Sequence, residues 1–209
     1  MNSCNFCEDE INYHEIIDCI AGALDARDPY TGGHSQRVSD MTLEVCKILH
    51  LSEAETAKYH IAAHLHDIGK IGVPDSVLLK QGKLNEDEWL AMKKHPEIGA
   101  AILRKSHRLH EISDIVLMHH ERYDGTGYPT KSVGKEIPLG SRIIAICDSI
   151  DAMTSTRCYR KALSFDVCYE EVEKNLGKMY DPEIGEEVLK NWNKIILAAT
   201  LSYSSPSEG

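Results

Sequence analysis

The chain has 209 residues, 42% of them hydrophobic and 27% charged, enough for one large domain with a sizeable core, since domains usually run to about 100–200 residues. Thirty-three acidic residues against 23 basic ones, a formal net charge of −10, exclude a broad surface for duplex nucleic acid, but not a small anionic ligand received by a local positive site or bound metal. No run of about 18 uninterrupted apolar residues exists, and the start MNSCNFCEDEIN lacks the basic and apolar regions of a leader, so no membrane association and a cytoplasmic location are expected.

In chain order the helical period dominates. In INYHEIIDCIAGALDARD the apolar positions Ile16, Ile17, Ile20, Ala23 and Leu24 recur at helical spacing until Asp28-Pro29 closes the segment. A second helix is predicted from about Gly33 to His50, with Val38, Met41, Val45, Ile48 and Leu49 inward. Ser52 with Glu55 is a capping box for a third, ending near Asp67. IGVPDSVLLKQGKLN reads as a loop holding one short turn. Asn85 with Glu88 then starts a helix that continues past PEIGAAILRK, broken or kinked at Pro96. Helices follow over 112–120, 142–156, 164–176 and 182–199, and no stretch alternates convincingly enough for a strand. The expected fold is an all-α bundle, in which metal sites are built from inward-facing side chains. Residues 1–14 are expected to form an N-terminal extension and 201–209 a flexible tail.

Seven cysteines without a leader imply free thiols rather than a disulfide framework. Cys4 and Cys7 form a CxxC with no second ligand pair nearby, and the feature stays unassigned. Histidine is the informative residue type, with 11 present. His66-Asp67, in AAHLHDIGK, sits near a predicted helix end, where neighbours about 100° apart can reach one ion from adjacent directions. The two oxygens of an Asp can bridge two ions. Lys70 follows one turn later, with Gly69 allowing the backbone to turn, so its ammonium can point at a ligand. In MHHERYDGTGYP, paired imidazoles suggesting metal stand directly before a Gly-rich loop suggesting close approach to a ligand.

HDIGK, KKHPEIGAAIL, HHERYDGTGYP and RIIAICDSIDAMTSTRCYRKAL, in this order and spacing, closely resemble the HD-GYP domains, cyclic dinucleotide phosphodiesterases of the HD hydrolase superfamily. The resemblance begins at LDARDPYTGGHSQRVS, continues to YDPEI, and implies an HD-domain helical bundle over 15–200 with a buried binuclear metal site. It places metal ligands at His34, His66, Asp67, His95, His119, His120 and Asp148, and substrate contacts at Lys70, Tyr128, Arg157 and Arg160, with Asp67 and Lys70 catalytic. Five imidazoles and two carboxylates suit two six-coordinate ions, and mixed nitrogen and oxygen ligation favours iron or manganese over magnesium or calcium. Some relatives hold a third ion with a glutamate four residues before the first ligand histidine; here that position is Tyr30, so two ions are expected in the centre.

The activity implied is hydrolysis of cyclic di-GMP to pGpG, and onward to GMP in a slower second cut. Rival readings are a phosphodiesterase for another cyclic dinucleotide such as cyclic GMP-AMP, and a non-catalytic cyclic di-GMP sensor. The resemblance also permits docking of diguanylate cyclases through the GYP loop, and the helix within 1–27 is expected either to pack on the bundle or to form a homodimer seam. His60 and His64 are spaced to bind zinc, but an ordinary packed or surface pair is expected, and His14, His50, His107 and His110 are expected at the surface. Glu121 and Asp124 either orient the histidines or cap the loop, Asp151 is expected to hydrogen-bond within CDSIDAMTSTR, and Arg122 to be solvated or salt-bridged.

Overall fold

The computed structural model describes residues 13–28, 32–156 and 161–201, and among these no strand forms; the one β feature is an isolated bridge between Leu176 and Tyr180. The chain enters through α1 (Tyr13–Arg27), α2 (His34–Ile48) and α3 (Glu53–His64). Ser52 caps α3, its side chain accepting from the Glu55 amide while Glu55 reaches back to the Ser52 amide, as the capping box requires. Next come a 3-10 turn at Ile68–Gly72 and the single turn of α4 (Asp75–Leu78). The Asn85 and Glu88 capping box opens α5 (Glu86–Met92), and the break near Pro96 separates it from α6 (His95–Leu103), where the proline occupies the first turn and needs no amide partner. A 3-10 turn at His110–Ile112 leads into α7 (Ser113–Leu117), and α8 (Leu139–Thr154), α9 (Phe165–Lys174), α10 (Pro182–Lys190) and α11 (Trp192–Leu201) complete the fold.

The core lies between α2 and α8, with α3, α7, α10 and α11 around it. Val38, Met41 and Val45 of α2 meet Ile143, Ile146, Cys147 and Ile150 of α8, all fully buried. Cys46, Cys147 and Cys168 are buried and form no disulfide, so these thiols pack as small side chains, as expected; Cys4 and Cys7 lie outside the described residues. The helix of 1–27 packs on α3 and the Ile68–Gly72 turn. No described helix is long and apolar enough to cross a membrane.

Several predicted boundaries differ, and three of them bear on the fold or the site. The third helix stops at His64, leaving His66 and Asp67 in a turn; α7 stops at Leu117, leaving His119 and His120 likewise beyond it; and the helix predicted over 182–199 is two, parted at Asn191.

Candidate metal centre

His66, His95 and His119 each follow within three residues of a helix end. The last carbonyls of a helix have no amide partner within it, and here ring nitrogens supply one. His66 Nδ1 donates to Ala63 O at 2.6 Å, His95 Nδ1 to Met92 O at 2.9 Å, and His119 Nδ1 to Val116 O at 2.6 Å. A carbonyl can only accept, so each Nδ1 carries the proton and each Nε2 is left with a lone pair aimed away from its helix. His34, the first residue of α2, is set the same way by a carboxylate, with Nδ1 2.7 Å from Asp151 Oδ2.

These lone pairs meet. His34 Nε2 lies 3.2 Å from His66 Nε2, and His95 Nε2 lies 3.3 Å from His119 Nε2. Two lone pairs at that distance repel, and the separation is close to the roughly 3 Å edge between neighbouring ligands about 2.1 Å from one ion. The donors form two groups, His34 with His66 and Asp148, and Asp67 with His95, His119 and His120. Asp67 spans both, because Oδ1 faces His95 Nε2 at 3.3 Å while Oδ2 lies 3.5 Å from His66 Nε2 and 3.6 Å from His34 Nε2. The set fits a pair of divalent ions, which would be held by these seven side chains.

Burial pushes His119 far below the usual histidine range and His120 to about 3, the crowded imidazoles adding to it. That keeps the rings in the neutral form that binds metal. Burial would raise Asp67, but Lys70 and the surrounding histidines outweigh it and hold the carboxylate well down. Burial also works against a charged His34, yet its bond to Asp151 and the nearby Asp148 and Asp67 carboxylates raise its pKa, so positive charge is favoured at this place. Lys70 Nζ sits 2.6 Å from Asp67 Oδ2, and that attraction overrides burial and raises its pKa.

The centre forms the floor of a cavity of about 770 Å³, within the range of roughly 300–1,000 Å³ typical of ligand pockets. Tyr128 forms one wall, its ring centroid 5.0 Å from that of His120 at 30°, with Lys93 Nζ 5.6 Å from the tyrosine centroid. In the GYP loop Gly125 takes a left-handed φ of 76°, so backbone freedom matters there. Gly127 has another reason: a Cβ would lie 2.3 Å from Arg122 N and 2.7 Å from His120 O.

All seven expected ligands and Lys70 and Tyr128 converge, whereas Arg157, Arg160 and Tyr30 lie outside the described residues. Glu121 and Asp124 cap the loop, accepting from the amides and hydroxyl of Thr130 and Lys131 and of Thr126, and Arg122 is paired with Asp124 at 3.3 Å. His50, His107 and His110 are exposed as expected. Asp151 departs from expectation: beyond a 3.4 Å contact with Ser155 it leaves its own segment to hold His34 and Arg37 of α2. Its place one turn after Asp148 sets it on the same face of α8, but that spacing does not identify its partners on α2. Trp89 and Lys83, which line the cavity from the α5 side, carry no motif that would mark them.

The sequence matches the family model of the HD domain over residues 18–184. It is similar to the cyclic di-GMP phosphodiesterase response regulator RpfG of Xanthomonas campestris, at 42% identity over 185 residues, 88% of this chain and 49% of that protein. A cyclic di-GMP phosphodiesterase of Thermotoga maritima is 39% identical over 187 residues, 88% of this chain and 51% of that protein. The 3'3'-cGAMP-specific phosphodiesterase 2 of Vibrio cholerae is 37% identical over 184 residues, 87% of this chain and 35% of that protein. The chain spans about half or less of the length of these relatives. In fold it is similar to the solved cyclic GMP-AMP phosphodiesterase V-cGAP3 of V. cholerae, with a TM-score of 0.69 and 17% identity, over 90% of this chain and 52% of that one.

Proposed function

The chain belongs to the HD domain family, and from that premise we propose that it is a metal-dependent phosphodiesterase that opens cyclic di-GMP to linear pGpG, with GMP as the product of a slower second cut. The observation that carries this reading is the double donor set sharing Asp67 on the floor of a cavity walled by Tyr128. Mixed nitrogen and oxygen ligation makes iron or manganese the ions of choice. Two such ions would activate a water and neutralise charge on the phosphodiester oxygens.

The residues supply positioning and charge. Asp151, bonded to His34 Nδ1, and the carbonyls of Ala63, Met92 and Val116 fix four of the five imidazoles, those of His34, His66, His95 and His119, so that only Nε2 is offered inward. Lys70, charged and at the cavity wall, is placed to bind a non-bridging phosphate oxygen. Tyr128 offers its face to a purine, and its hydroxyl stays protonated because burial and the Asp67 and Asp148 carboxylates raise its pKa. Arg157 and Arg160 complete the phosphate contacts in this proposal.

A second reading, hydrolysis of cyclic GMP-AMP, is favoured by the similarity to the 3'3'-cGAMP-specific relative. Domain bounds of 15–200, a cytoplasmic location, docking of diguanylate cyclases on the GYP loop and a homodimer belong to the same proposal; the match over 18–184 supports the first.

The deciding experiment is anaerobic purification with elemental analysis, followed by product analysis against cyclic di-GMP, cyclic GMP-AMP and cyclic di-AMP. Two iron or manganese ions in the cavity centre and pGpG are expected; metal uptake with no turnover of any of the three dinucleotides would make the chain a sensor. Arg157→Ala is expected to raise KM more than it lowers metal content, and coincident metal loss would assign the arginine a structural part. Asp151→Asn keeps an acceptor for His34 but loses the charge, and metal affinity on the His34 side is expected to fall about 10–100-fold. Calorimetric titration should show the other ion unaffected; equal weakening of both would mean that Asp151 acts on the whole fold.

A further inference from the structure

Three more histidines, none of which lines the cavity, converge where α1 meets α3. His14 of α1 and His60 and His64 of α3 each offer one ring nitrogen, and these atoms all lie within 4.8 Å of one another. The hydrogen bonds around them fix where the protons are. Ser39 Oγ donates to Gln36 O at 2.8 Å, so toward His64 Nε2, 2.9 Å away, it can only accept. The ring proton of His64 is therefore on Nε2, and Nδ1 carries a lone pair. His64 is 1% exposed, and Nδ1 has no hydrogen-bond partner; the nearest carboxylate oxygen, Asp18 Oδ1, is 3.8 Å off. His60 Nδ1 donates to Ser39 O at 3.2 Å, which leaves its Nε2 with a lone pair, and His14 Nδ1 donates to Asp18 Oδ2 at 3.0 Å with the same result. Those two Nε2 atoms face each other at 3.0 Å.

A proton shared between His14 and His60 would relieve that pair but leave His64 Nδ1 buried and unsatisfied. One divalent ion answers all three. We propose that His14, His60 and His64 bind a zinc-class ion, with Asp18 orienting His14 and supplying negative charge, and with the side toward solvent open, since the His14 and Asp18 side chains are 41% and 46% exposed. Three imidazoles and no bridging carboxylate suit zinc, in contrast to the mixed donors of the cavity. The site shares no residue with the larger centre. Its ligands come from α1 and α3, so the ion staples the first helix to the bundle. The other end of α1 carries Arg27, which donates to the carbonyl of Lys70 at 2.7 Å and braces the turn beneath the cavity.

The test compares wild type with His14→Ala, and with His60→Asn as an independent second variant, both at part-exposed positions. Each protein is loaded with zinc chloride, dialysed and analysed for metal, then titrated with cobalt chloride and followed by visible absorption. Each variant should hold one equivalent less than wild type and lack the intense absorption of low-coordinate cobalt. Because the count is a difference between proteins, it stands whatever number the larger centre takes up. Equal zinc content in all three, with identical cobalt spectra, would overturn the proposal.

Discussion

Asp67→Asn is expected to cut the proposed hydrolysis of cyclic di-GMP roughly a thousand-fold, because several kcal/mol of transition-state stabilisation would depend on ions that this carboxylate would help to hold. Its two oxygens face both donor groups: Oδ1 lies toward His95, and Oδ2 toward His34 and His66. The amide keeps the volume of the carboxylate but only one acceptor oxygen, so both metal equivalents should weaken together. Asp148→Asn, whose carboxylate belongs to the His34 group, should weaken the ion on that side more than the other. The loss of charge at Asp67 would also leave Lys70 without its anionic partner at 2.6 Å. The stability lost should be less than the about 3–5 kcal/mol typical of breaking a fully buried pair, because 20% of the lysine side chain is open to the cavity. Steady-state kinetics with metal content measured on the same samples decides the matter; near wild-type turnover in metal-loaded Asp67→Asn would sink the mechanism.

Local signals carry most of the fold. The capping boxes at Ser52 and Asn85 and the apolar spacing in α1, α2 and α8 are contained in a few neighbouring residues, and each produces the element it predicts. The candidate ligand histidines are legible through motif resemblance, but the reason for their spacing is not: the last-turn carbonyls of α3, α5 and α7 accept from their ring N–H groups. Those bonds lie in turns just beyond helix ends, where periodicity does not distinguish the last helical turn from the non-helical one after it. Asp151 and His14 escape the sequence for a different reason. Their partners are 117 and 46 residues away, and no spacing along the chain encodes a contact made by packing α8 on α2 or α1 on α3. The split between α10 and α11 at Asn191 likewise has no proline or glycine to announce it.

Gly69 shows how a residue can be singled out for the wrong reason and matter more for the right one. It adopts no left-handed φ, so freedom to turn is not what it provides. A Cβ built there would lie 1.8 Å from His95 O, 2.5 Å from Gly99 N and 2.7 Å from His95 C, all backbone atoms that no rotamer change can move. The Ile68–Gly72 turn therefore lies directly on the first turns of α6, and Gly99 faces back toward Gly69 N with only 3.2 Å to spare for a Cβ of its own. Gly69→Ala must push the two segments apart, and the distance that opens is the one between Asp67 and His95, 3.3 Å in the native packing. The expected cost is about 3 kcal/mol or more, at or above the upper end for overpacking because backbone must shift. Urea unfolding of metal-free protein isolates that packing effect from metal linkage, and metal uptake should fall in the same variant. Gly22→Ala is the matched control: Gly22 is exposed within α1 with nothing within 4 Å of its Cβ position, and alanine there should be stabilising by roughly 0.5–1 kcal/mol. If Gly69→Ala proves as stable as Gly22→Ala, the two halves of the metal centre are not held together by this backbone contact, and the ligand geometry must rest on the side chains alone.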